Sequence, residues 1–66
     1  MHYYIVKTND QFHTVEYKRY KCIDGFSSNK TLCWKFSKQG AKKIIERLEN
    51  EYYRNPYVHF SITEAE

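Results

Sequence analysis

The chain has little of what marks several large protein classes. Its 66 residues contain two cysteines, two glycines and one proline. Two cysteines cannot build a disulfide-dense scaffold. No apolar run approaches the roughly 18 residues of a membrane-spanning helix. The longest apolar run near the N-terminus, Tyr3-Tyr4-Ile5-Val6, is too short for the core of a secretory signal. A reduced, cytoplasmic protein without membrane association is therefore expected. There is no repeat, linker or low-complexity tract, and most enzyme folds need a longer chain. Aromatic residues, by contrast, make up 18% of the sequence, far more than disordered chains hold, so one small folded domain over 1–66 is expected.

Charge is unevenly spread along the chain. Between positions 18 and 43, Lys18, Arg19, Lys21, Lys30, Lys35, Lys38, Lys42 and Lys43 stand against Asp24 alone. From position 46 onward, five glutamates outnumber Arg47 and Arg54. A basic middle and an acidic end give a molecule able to meet an acidic partner with one side. Phe, Tyr, Ile, Asn and Lys are abundant, whereas Gly, Ala, Arg and Pro are scarce. That usage reflects an AT-rich coding source. In composition, though in no motif, the chain resembles the small accessory proteins of phages and prophages from AT-rich genomes. The resemblance implies a factor that modulates or inhibits a host protein.

Periodicity supplies the elements. His2–Thr8 reads as a strand, with Tyr4 and Val6 on one face and Tyr3 and Ile5 on the other. Asn9-Asp10-Gln11 forms a turn. Phe12–Ile23 is a long β-rich segment whose apolar face switches at Lys18-Arg19, which calls for a bulge or break. Asp24–Lys30 reads as a loop. Thr31–Phe36 alternates strictly, predicting a strand with Leu32, Trp34 and Phe36 inward. Ala41, Ile44, Ile45, Leu48 and Tyr52 then recur at helical spacing. Ser37 is the expected N-cap, and Asn55-Pro56 the stop, giving a helix over about Lys38–Arg54. Tyr57–Thr63 is a final strand, with Thr63–Glu66 a frayed tail.

The order β-β-β-α-β predicts an α+β fold: a small, antiparallel-dominated sheet with one helix packed on one face and the last strand parallel to a neighbour. One helix leaves the other sheet face uncovered, carrying Tyr3, Ile5 and Tyr17 or their opposite-face counterparts. Such a face calls for a partner, either a second copy or a larger protein.

Several arrangements could carry chemistry. Glu16-Tyr17-Lys18 with Asp10 upstream imitates the carboxylate–lysine set of metal-dependent nucleases, but the tripeptide is common and the chain is short. His2, His13, His59, Cys22 and Cys33 lack the close ligand pair of a structural zinc site. Nothing orients a cysteine–histidine pair for nucleophilic attack. No catalytic residue, cofactor or metal is expected. A hairpin symmetric about Ser27-Ser28 would face Cys22 toward Cys33 and permit a disulfide under oxidation.

Binding is better supported than catalysis. Tyr17-Lys18-Arg19-Tyr20-Lys21 and Trp34-Lys35-Phe36 interleave basic and aromatic residues. The helix is charged against its own dipole: Lys38, Lys42 and Lys43 crowd the positive end and Glu46, Glu49 and Glu51 the negative one. Each misplaced charge costs about a few tenths of a kcal/mol, offset in part by Lys42–Glu46 and Arg47–Glu51 pairs. The helix start, with Ser37, Lys38 and Gly40, has the makings of an anion site. The expected binding set is Tyr17, Lys18, Arg19, Lys21, Lys35, Lys38, Lys42 and Lys43. Its expected partner is a protein with an acidic surface, with nucleic acid as the alternative.

Overall fold

A computed structural model describes residues 2–19 and 25–65. Strand β1 (His2–Asn9), strand β2 (Thr14–Lys18), the two-residue strand β3 (Phe26–Ser27), helix α1 (Lys38–Glu51) and strand β4 (Val58–Ala65) follow in that order. A 3₁₀ turn (Lys30–Leu32) lies between β3 and α1. The four strands form one antiparallel sheet in the order β3-β2-β1-β4. This is the α+β fold with one helix that the hydrophobic periods predict.

The β1–β2 turn is held by Asn9, whose Oδ1 accepts the amides of Gln11 at 2.9 Å and Phe12 at 3.2 Å. His13 closes the turn with φ 55°, the left-handed region. Strand β2 stops at Lys18, where the apolar pattern changes face. Register then assigns the two faces. The pairings Lys7↔Glu16, Ile5↔Ile62, Lys7↔Phe60 and Lys18↔Phe26 put these residues on one side. Val6↔Tyr17, Thr8↔Val15 and Val6↔Ser61 fall on the other.

Helix α1 lies over β1 and β4. Ser37 caps it, its Oγ accepting the Gly40 amide at 3.1 Å. The core beneath consists of Ile5, Phe36, Ala41 and Leu48, with Phe26, Ile44, Ile45, Tyr52, Phe60 and Ile62 packed around it. Full burial of an Ile, Leu or Phe side chain contributes about 1.5–3 kcal/mol, so Ile5, Phe36 and Leu48 hold helix to sheet, with smaller shares from Ala41 and the half-buried ring of neighbours. Lys7 is drawn into the same layer. Its Nζ lies 5.0 Å from the Phe26 ring centroid and 5.2 Å from that of Tyr52, and Tyr52 meets Phe60 edge-on at 5.4 Å.

Four expectations are corrected. Thr31–Phe36 is not a strand. Asn29 Oδ1 accepts from the Thr31 amide at 3.1 Å and its hydroxyl at 2.7 Å, and the Cys33 amide donates to the Lys30 carbonyl at 3.1 Å. These local bonds curl the segment into the 3₁₀ turn, and only Phe36 pairs, with Tyr3. Second, β2 therefore pairs with Phe26–Ser27, inside the expected loop, which removes the hairpin that would have faced Cys22 toward Cys33. Cys22 itself lies outside the described residues.

Third, β4 is antiparallel to its neighbour β1, not parallel. Phe36 and β4 flank β1 on opposite sides and both run antiparallel to it. The helix crosses over β1 between them. Fourth, the ladder continues to Ala65, which pairs with His2 and is 7% exposed, so frayed ends do not begin at Thr63. The helix ends at Glu51, a little before the expected Arg54: Tyr52 makes the last helical bond, to the Leu48 carbonyl, but leaves helical geometry at φ −105° and ψ 14°, and the Asn55 amide closes a tighter turn on the Tyr52 carbonyl at 2.8 Å.

Candidate functional site

The sheet face away from α1 presents Tyr4, Val6 and Thr8 from β1, Val15 and Tyr17 from β2, and His59, Ser61 and Thr63 from β4. It is therefore the Tyr4/Val6 set, not Tyr3/Ile5, that joins Tyr17 on the uncovered side. Tyr4 and Tyr17 meet edge to face at 5.7 Å and 63°. Lys30, from the 3₁₀ turn, lays its Nζ 5.1 Å from the Tyr17 centroid and 5.9 Å from that of Tyr4. One end of the face is thus partly roofed. Val6 is buried beneath its neighbours, while Val15 remains 49% exposed.

At the end of the turn Leu32 is 52% exposed and just after it Trp34 is 46% exposed, against the expectation that both point inward. The Trp34 amide donates to the Lys18 carbonyl at 3.1 Å, which sets Trp34 and Lys35 beside Arg19. Arg19 and Lys35 are exposed. Cys33 Sγ sits among the carbonyls of Asn29, Tyr17 and Ser27 at 3.2, 3.4 and 3.8 Å. Its pKa is raised from 9.0: burial disfavours the thiolate, against the opposing pull of Arg19 and the Ser27 backbone bond. It is a quiet thiol rather than an activated nucleophile.

The expected binding residues separate into groups. Arg19, Lys35, Lys38, Lys42 and Lys43 are exposed, and Tyr17 is half-buried on the open face. Lys18 is a correction. Alternation turns it to the helix side, where it is 3% exposed with Nζ 5.4 Å from the Phe26 centroid. Its stem packs on the core instead of extending a basic surface. Lys21 lies outside the described residues. Lys30, Tyr4, Val15, Leu32 and Trp34 belong to the surface but not to the expected set. The alternation of Thr31–Phe36 masked Leu32 and Trp34.

The nuclease-like set does not assemble. Asp10 Oδ2 lies 2.9 Å from His59 Nε2 on the β4 side of β1, whereas Glu16 sits on β2 and Lys18 is buried. Among the described residues no three His, Cys, Asp or Glu side chains come together as a metal site. A shallow depression of about 440 Å³ between Gln11, Glu51 and Tyr57 is open to solvent. No described helix is long and apolar enough to cross a membrane. Comparison with protein-family models, curated proteins and solved structures finds no match.

Proposed function

We propose that this chain is a small, non-enzymatic docking module acting by protein–protein contact, an accessory factor of a phage or prophage that modulates or inhibits a host protein in the cytoplasm. The observation that supports it is the one-sided cover of the sheet. Helix α1 packs on one face, while among the described residues the Tyr4/Tyr17/Val15 face is crossed only by Lys30, at one end. Tyrosine and tryptophan offer contact area at low entropic cost. Arg19, Lys35, Lys38 and Lys42 add exposed positive charge that steers the module toward an acidic patch. The test is affinity capture from the source cell with the intact chain as bait. One stoichiometric protein is expected. Recovery of nucleic acid alone contradicts the reading.

A second reading, nucleic-acid binding, is favoured by one observation: Trp34 is 46% exposed, with its own amide bonded to the carbonyl of Lys18, the residue before Arg19, and with Lys35 next in the chain. An exposed indole flanked by cations is suited to base stacking and phosphate neutralisation. Trp34 is the one tryptophan of the chain, so its fluorescence reports directly. Quenching by arbitrary oligonucleotides that fades steeply with salt would support this reading; no change at low salt would exclude it.

A further inference from the structure

Strand β4 is a sheet edge, and among the described residues its outward side is bare from Phe60 onward, the Val58 amide being turned back to the Asn55 carbonyl at 3.4 Å. The Asp10 amide donates to the Tyr57 carbonyl at 2.9 Å, which fixes the phase of the β1–β4 ladder. His59, Ser61, Thr63 and Ala65 bond inward to β1, and Phe60, Ile62 and Glu64 turn their amides and carbonyls outward. No described residue bonds to those outward groups. Natural edges are blunted by proline, lysine or a bulge. The eight residues VHFSITEA contain none of these.

We propose that β4 pairs antiparallel with β4 of a second copy, joining two sheets into one of eight strands. Outward residues must exchange bonds with outward residues, so the register centred on the strand sets Phe60 against the partner's Ile62. Ser61 then faces the partner's Ser61, and Glu64 faces the partner's Val58. No like charges meet.

The helix argues for the same occupant. The two-fold axis stands perpendicular to the sheet, so both copies of α1 lie on one face and run antiparallel. Because α1 lies over β1 and β4, the helix axes fall about 10 Å apart, close to ordinary helix packing. Antiparallel helices bring Lys38 and Lys42 of one copy to the glutamate-rich half of the other. Within one chain neither Lys42–Glu46 nor Arg47–Glu51 closes as an ion pair. The charge order that opposes the dipole of a single helix is complementary across this axis.

This proposal concerns the β4 edge and the docking reading the open face; the two share only the charges of Lys38 and Lys42. The test of the edge pairing is mass in solution by sedimentation equilibrium, with three variants. The unaltered chain is expected at twice its 8.1 kDa. Ser61→Lys places two like charges opposite each other, and Glu64→Pro removes an outward amide; each is expected to halve the mass while keeping the circular dichroism spectrum. Val15→Lys, on the open face, is expected to leave the dimer intact. As a register test, Ser61→Cys in a Cys22→Ser/Cys33→Ser background is expected to cross-link between copies, and Thr63→Cys, which faces the partner's His59, is not. A monomer at all attainable concentrations, a dimer lost with Val15→Lys alone, or equal cross-linking at both positions overturns the proposal. So does a monomer whose protein capture fails with Glu64→Pro, since a foreign strand would then own the edge.

Discussion

His13 holds φ 55° without being glycine, a conformation that costs an L-residue about 1–2 kcal/mol. His13→Gly is therefore expected to raise stability by about 1 kcal/mol in urea melts; no gain would mean that the imidazole makes a compensating contact. Lys7 shows how a residue's role escapes the sequence. A lysine in an alternating strand reads as solvent-facing, yet its ammonium lies against the Phe26 and Tyr52 rings. Lys7→Gln is expected to cost about 1 kcal/mol by the same melts, through lost cation–π attraction. Lys18 was illegible for the same reason, since its burial depends on Phe26 arriving from a separate strand. Cys33 gives a pH signature. With its thiol held above 9.0 in the fold, its contribution to stability is fully present below 9.0. That contribution is lost as pH rises through the higher folded value. In a Cys22→Ser chain, alkylation of Cys33 should accelerate at a higher pH in the folded protein than in urea; coincident profiles would contradict the burial.

At the scale of elements, helix α1 was the most legible part. Its five-residue apolar stripe, the Ser37 cap and the Asn55-Pro56 stop all agree with the structure to within a few residues. Ser37→Ala leaves the Gly40 amide without its acceptor, and a loss of about 1 kcal/mol is expected from thermal or urea unfolding. An unchanged midpoint would show that solvent replaces the cap. The Thr31–Phe36 alternation misled because period two says nothing about a competing local bond. Asn29 decides the matter from two residues ahead of the alternating run, through two bonds to Thr31. Only Phe36, beyond the reach of that turn, takes the predicted place in the core. Strand β4 ran longer than its apolar pattern because backbone pairing to His2, not side-chain hydrophobicity, holds Ala65.

At the scale of the molecule, the antiparallel-dominated sheet and the helix on one of its faces followed from the apolar periods, whereas the third strand did not: Phe26–Ser27 fills the place expected for Thr31–Phe36. The orientation of β4 did not follow either, because it depends on where Phe36 docks, and that is a long-range choice of partner strand. Of the residues expected to bind, the exposure of Arg19, Lys35, Lys38, Lys42 and Lys43 was legible in the sequence, and so was the half-buried place of Tyr17 on the sheet. The expected set was incomplete where the loop between β3 and α1 turns Leu32 and Trp34 outward and sends Lys30 across Tyr4 and Tyr17. The central claim is that the face opposite α1 receives a protein partner. It is tested most directly by capturing that partner with the intact chain and with Val15→Asp, a change at a side chain 49% exposed that touches none of the core beneath α1. A stoichiometric protein retained by the former and released by the latter, with both baits equally folded, is the expected outcome. Equal capture by the two would place the contact elsewhere.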